Sequence, residues 1–412
     1  MLGAKTGAVQ RLREAVNRPF IVGVHCNGHK LELSFKDSIK TQIPLYNKVE
    51  LFLTNLYYFY RNSNVSRSGL KESSKAVGKK TVYPTRVSGN RWVGHLKIAV
   101  ENLLKGYDMF VTHLGQLQNR DVSVSRTEKG NKAKGFYACA KTKSVWLMLH
   151  FLLDVLEVLS SVSKMFQSQA ACVSEVLTEI EMAVVSLEKM KKRNGLKLRQ
   201  AMELLPCDLT GDDRSFISAR HKLLTSIVES LHRRFTDNPG ILASVSTFNL
   251  SLFPSDAKDL IDYGDDEVDQ LVDHFSTALE DGGVDVNQIA HECTKLKQLM
   301  PARFTSPINN ITWVDVNSKL GKCCPNVLAL VDLVHTIPAS SADAERGFSY
   351  LKNTKSASRN KLLDTNLSNQ LMVVLETAPE NEYDPTEAVH LWNAAVLRRP
   401  RQETKANYIL YS

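Results

Sequence analysis

A mostly α protein with one small α/β element is predicted from the order of residues. Apolar side chains recur at helical spacing through nearly the whole chain. Only Phe20-Ile21-Val22-Gly23-Val24, after Pro19, has the continuous apolar character of a short buried strand. Breakers at Asn238-Pro239-Gly240 and Phe253-Pro254-Ser255-Asp256 divide the helical block late in the chain.

The elements follow in order. Val9, Leu12 and Val16 fall on one stripe and place a helix over residues 1–18. After the apolar run and His25-Cys26-Asn27-Gly28-His29, the spacing of Leu31, Phe35 and Ile39 predicts a second helix. Leu45, Val49, Phe52, Leu56 and Phe59 predict a third. Residues 61–85 are rich in Ser, Lys and Asn and read as a mobile basic loop. A helix is expected behind Arg91-Trp92. Further stripes are Trp146, Leu149, Leu153, Leu156 and Leu159, then Val173, Val176, Ile180, Val184 and Leu187, then Phe216, Leu223, Ile227 and Leu231. Near the C-terminus, Pro338 stops what precedes it, and Ser340 or Ser341 can cap a helix. Ala344, Phe348 and Leu351 share one face of that helix, expected to be buried. Leu367, Leu371 and Val374 form the stripe of a second helix, capped by Asp364 or Thr365.

Composition narrows the function classes. The chain has 412 residues, 43% of them hydrophobic and 23% charged, enough for two or three globular domains. Seven cysteines in such a length are no disulfide framework and suit a reducing compartment. The apolar run Val145–Leu153 is too short to span a bilayer, and no signal-peptide pattern opens the chain, so no membrane partner is expected. The net charge of +8 is uneven. Residues 1–145 hold 25 Lys and Arg against 9 Asp and Glu, whereas Ser255–Glu292 holds 12 acids and one base. A basic half of this kind suits phosphate-bearing partners. Cys26-x-x-His29 has half of a zinc ligand set, but no second pair with chelating spacing follows it, so no metal site is expected.

The run Ile337-Pro338-Ala339-Ser340-Ser341-Ala342-Asp343-Ala344-Glu345-Arg346-Gly347-Phe348-Ser349, then a basic turn (Lys352, Lys355, Arg359, Lys361) and a Leu-rich helix, resembles the C-terminal dimerisation region of hAT-type (hobo/Activator) transposases. Cys26-x-x-His29-x-Leu31-x-Leu33 is similar to that family's Cys-x-x-His signature, and Arg91-Trp92 to the segment that opens its helical insertion. The resemblance implies a partial RNase H-like core interrupted by a large all-helical insertion: core in residues 1–90, insertion in 91–305, dimerisation region in 306–380, and a basic tail in 381–412. It implies a homo-oligomer, a dimer, formed through Phe348, Leu351, Leu367, Leu371 and Val374. It also implies contact with DNA, for which Lys79, Lys80, Arg86, Arg91 and Trp92 are the candidates, and a nuclear location, otherwise cytoplasmic.

Enzymes of this family use three carboxylates to hold two metal ions. The Glu of Glu345-Arg346-x-Phe348-Ser349 matches the third. Met1-Leu2-Gly3 resembles the stretch just after the second, so two carboxylates and the family's zinc finger are expected to lie outside this chain, as in domesticated relatives. Asp37, Asp108 and Asp154 stand in no matching motif. The expectation is an inactive, self-associating protein with no small-molecule substrate and no cofactor. Magnesium enters only if the chain is part of an active transposase. The third reading is a nuclear protein-interaction module that does not bind DNA.

Overall fold

The computed structural model describes residues 7–40, 42–87, 89, 91–119, 127–168, 173–236, 240–377 and 382–394. Contact density divides the chain at Ala342 into two units.

The first unit holds seventeen α-helices among its described residues. They are α1 (Ala8–Val16), α2 (Asn27–Ile39), α3 (Pro44–Arg61), α4 (Asn64–Ala76), α5 (Trp92–Lys105), α6 (Tyr107–Gln116), α7 (Glu128–Ala140) and α8 (Lys143–Met165). Then come α9 (Val176–Lys192), α10 (Leu196–Glu203), α11 (Arg214–Thr236), the single turn α12 (Ile241–Ser244) and α13 (Ala257–Asp262). The acidic stretch continues as α14 (Asp265–Asp281) and α15 (Val286–Arg303), and α16 (Trp313–Leu320) and α17 (Pro325–His335) complete the unit.

Two cores are buried within it. The larger gathers residues from Leu31 to Phe235 together with Ala339, with α8 at its centre. Fourteen residues of α8 are buried, from Ser144 to Val162, so the short apolar run seen in the sequence belongs to a 23-residue helix wrapped by protein on most sides. The smaller core runs from Val245 to Ile337 and is built mainly on α14, α15 and α17.

Two expectations are corrected. Phe20–Val24 forms no strand: among the described residues the sole β pairing is an isolated bridge between Thr142 and Thr210. A strand needs a neighbour for its amides, and here Phe20, Val22 and Val24 instead lay their side chains on the smaller core. Residues 61–85 are not simply a loop, since α4 occupies their middle. Ser63 caps it, accepting the Ser66 amide at 3.2 Å. Its inner face is Ser66, Leu70, Ser73 and Ser74. Ser73 satisfies its hydroxyl on Gly69 O and Gln116 Oε1, both at 3.0 Å, and Ser74 pairs with Thr81 at 2.6 Å.

Small residues on α4 allow close approach to α6. An added Cβ on Gly69 would sit 2.4 Å from Nε2 of His113. His113 is buried and its Nδ1 lies 2.9 Å from the Tyr60 hydroxyl. Burial, aided by the Lys129 charge, pulls the imidazole down to about 4, so it is neutral at physiological pH.

Gly69→Ala therefore overpacks the joint and is expected to cost about 1–3 kcal/mol in a urea melt. Gly135→Ala, on an open face of α7 where an added Cβ meets nothing within 4 Å, is expected to raise stability by about 0.5–1 kcal/mol. Equal effects at the two sites would contradict the packing described.

Candidate subunit interface and the motif junction

The Cys-x-x-His segment and the Ile-Pro-Ala-Ser-Ser run, more than three hundred residues apart in sequence, meet directly. Asn27, at the first position of α2, donates its side-chain amide to Ala339 O at 2.8 Å and its backbone amide to the same oxygen at 3.4 Å. Asn27 is 3% exposed and Ala339 2%. Beside them the Ser341 amide donates to Cys26 Sγ at 3.4 Å. Ser340 donates its hydroxyl to Phe166 O and accepts the Ala342 amide at 3.2 Å, so it is the serine that supports the next helix. Cys26 is half-buried and His29 exposed. The His25 and His29 rings lie 5.7 Å apart, and burial, then the Lys30 charge, lowers His25.

Glu32, one turn into α2, carries the junction to the Arg-Trp segment. Its buried carboxylate accepts the Val93 amide at 3.0 Å and so caps α5. Burial raises the carboxyl, and the bonds from the Val93 and Trp92 amides offset part of the rise. Trp92 is half-buried, with Lys36 of α2 5.0 Å from its ring centre. Arg91, Lys79, Lys80 and Arg86 are exposed. Arg91 donates to Gln167, and Lys79 pairs with Asp108.

The carboxylates available in the first unit are committed elsewhere. Asp154 accepts the Lys197 and Leu198 amides, both at 2.9 Å, and caps α10. An added Cβ on Gly195 would strike that carboxylate at 2.2 Å, which explains a glycine there. Asp37 binds Arg234 and, at 2.9 Å, Lys40. Burial pushes its carboxyl up, but these bonds win and hold it below the ordinary value. Among the described residues no three His, Cys, Asp or Glu side chains cluster closely enough to hold a metal ion.

The second unit holds α18 (Ala342–Thr354), which begins at the boundary, α19 (Asp364–Glu376) and α20 (Thr386–Ala394). Residues 395–412, the basic end of the tail, lie outside the described residues. Gly347 of α18 faces Leu375 of α19: an added Cβ would lie 4.0 Å from Leu375 Cδ1. Glu345 is exposed in the first turn of α18, where the helix dipole favours an acid, and Arg346 pairs with Asp343.

The apolar faces of this unit are not hidden, contrary to the buried face expected for α18. Phe348 is 68% exposed, Val374 49%, and Ala344 is exposed as well. Leu351 and Leu371 are half-buried and Leu367 is buried. Met372, Val373 and Leu375, which the stripe rule passes over, are exposed too, as are Tyr350 and Leu363. Four successive apolar residues point around the whole circumference of α19, so one neighbour cannot cover them all. Lys352, Lys355, Arg359 and Lys361 stand exposed around this surface. An apolar centre with a charged rim is the anatomy of a protein interface.

Residues 290–376 match the family model described as the hAT family C-terminal dimerisation region. The match begins within α15, crosses the motif junction and ends with α19. This chain thus carries a segment, residues 290–376, that is similar to the hAT C-terminal dimerisation region.

Proposed function

We propose that this chain is a self-associating, transposon-derived protein that holds nucleic acid through its basic first 145 residues and does not cut it. The observation that carries the proposal is the exposed apolar surface of α18 and α19 inside a matched dimerisation region. Exposed Phe348, Met372, Val373, Val374 and Leu375 lose hydration cost only when another surface covers them, at about 25 cal/mol per Å². A second copy of the chain presents the same surface, as a twofold dimer requires. The charge balance of residues 1–145 supports the nucleic-acid part, and with the family resemblance it supports a nuclear location.

The placement of the carboxylates supports the reading that the chain does not cleave. Two-metal chemistry needs three of them converging. Asp37, Asp108 and Asp154 serve as ion-pair partners or helix caps, which leaves Glu345 without motif companions.

In sedimentation at micromolar concentration the wild-type chain is expected to run as a dimer. Phe348→Asp with Val374→Asp is expected to weaken it at least tenfold without loss of helicity, because both side chains are exposed in the single subunit. A wild-type monomer at that concentration contradicts the proposal. With Mg²⁺ or Mn²⁺ the purified chain is expected to leave supercoiled DNA intact, and metal-dependent nicking that Glu345→Gln abolishes would refute this.

A further inference from the structure

Resting on the nucleic-acid reading above, we propose that α4 and the cleft at its N-terminal end form a binding track for single-stranded nucleic acid. α4 follows phosphates, and the cleft takes an unpaired base.

The track is built from charge on a fixed helix. Arg67, Lys71 and Lys75 recur every four residues on α4, all exposed, with steps of about 6 Å along the axis. Lys80 follows just past the helix, also exposed. Burial of Ser66, Leu70, Ser73 and Ser74 on the neighbouring face prevents the helix from rolling. Arg67 lies 4.5 Å from the centre of the Tyr83 ring, which holds the guanidinium in place.

The cleft has about 460 Å³ and is lined by residues of α3 and α7 together with Ser63, the cap of α4. Its walls are aromatic: Tyr58 is 44% exposed, and Phe59 packs edge-to-face on Phe136 at 5.5 Å. Its rim is basic and polar. Lys129 donates to Ser63 Oγ at 3.1 Å and lies 5.8 Å from the Phe59 ring centre, while Lys132 pairs with Glu128 at 2.6 Å. Asn55 and Asn62 supply amides for a base edge. Aromatic faces beside lysines, continuous through Ser63 with a basic helix, are what a stacked base and its flanking phosphates need. A paired base is already stacked within its duplex and cannot enter, so the fitting ligand is an unpaired one.

The test is fluorescence anisotropy of the full chain with a short labelled single strand and its duplex across a salt series. Lys71→Glu with Lys75→Glu is expected to weaken single-strand binding about tenfold and to lower the salt slope by about 1.4. Lys189→Glu with Lys192→Glu, the same charge change on exposed positions of α9, is expected to shift it less than twofold. Tyr58→Ala is expected to weaken the single strand about tenfold, the duplex little, and to leave the salt slope unchanged. Circular dichroism checks that each variant keeps its helices. If the α4 and α9 variants lose affinity equally, or Tyr58→Ala leaves the single-strand preference intact, the track is overturned while wild-type binding still upholds nucleic-acid contact. If the wild type binds neither oligonucleotide at low salt, the track and the nucleic-acid reading both fall. Binding to phosphatidylserine vesicles in place of oligonucleotides overturns the track in favour of a lipid surface.

Discussion

The first unit depends on one buried carbonyl. Ala339 O receives two donors from Asn27, with both residues almost wholly out of water. The chain passes between the two cores at both places. Phe20 to Val24 pack on the smaller core and Leu31 belongs to the larger, while Ile337 is buried in the smaller and Ala339 in the larger. Two segments thus bridge the cores side by side, and the Asn27 amide ties one to the other. A buried amide left without its acceptor costs about 1–3 kcal/mol, so only asparagine at 27 with the 337–341 backbone in place satisfies both.

The same economy governs the buried acids. Glu32 caps α5, Asp154 caps α10, and Glu292 caps α17 by accepting the Asn326 and Val327 amides at 2.7 and 3.0 Å. Each carboxylate answers the unpaired donors of a helix start from a distant element, a stronger bond than a neutral pair. Each such cap fixes where one helix begins relative to another. It also engages each of these acids with backbone amides.

Most helices were legible because their apolar residues repeat at helical spacing: α3, α8, α9 and α11 bury the stripes the sequence shows. α4 was not, because its inner face is mostly serine and a period of small polar residues gives no hydrophobic signal. Phe20–Val24 misled in the opposite direction, since a short apolar run reports burial without saying in which backbone shape. The pairing of Asn27 with Ala339 left no trace in spacing, because no local rule reaches across such a separation. In the C-terminal helices the spacing placed Phe348 and Leu351 on one stripe and Leu367, Leu371 and Val374 on another, but spacing does not say which of these side chains one subunit leaves exposed. In the run Leu371-Met372-Val373-Val374-Leu375 the last four residues are exposed, whereas Val145-Trp146-Leu147-Met148-Leu149 of α8 is covered within the first unit.

The junction is tested most directly by native-state hydrogen exchange on the chain with Asn27→Ala. The account predicts that the first turn of α2, residues 337–341 and the capped start of α5 lose protection together, by tenfold or more, while the centre of α8 is unchanged. Loss confined to the amides next to residue 27, with 337–341 still protected, would contradict it.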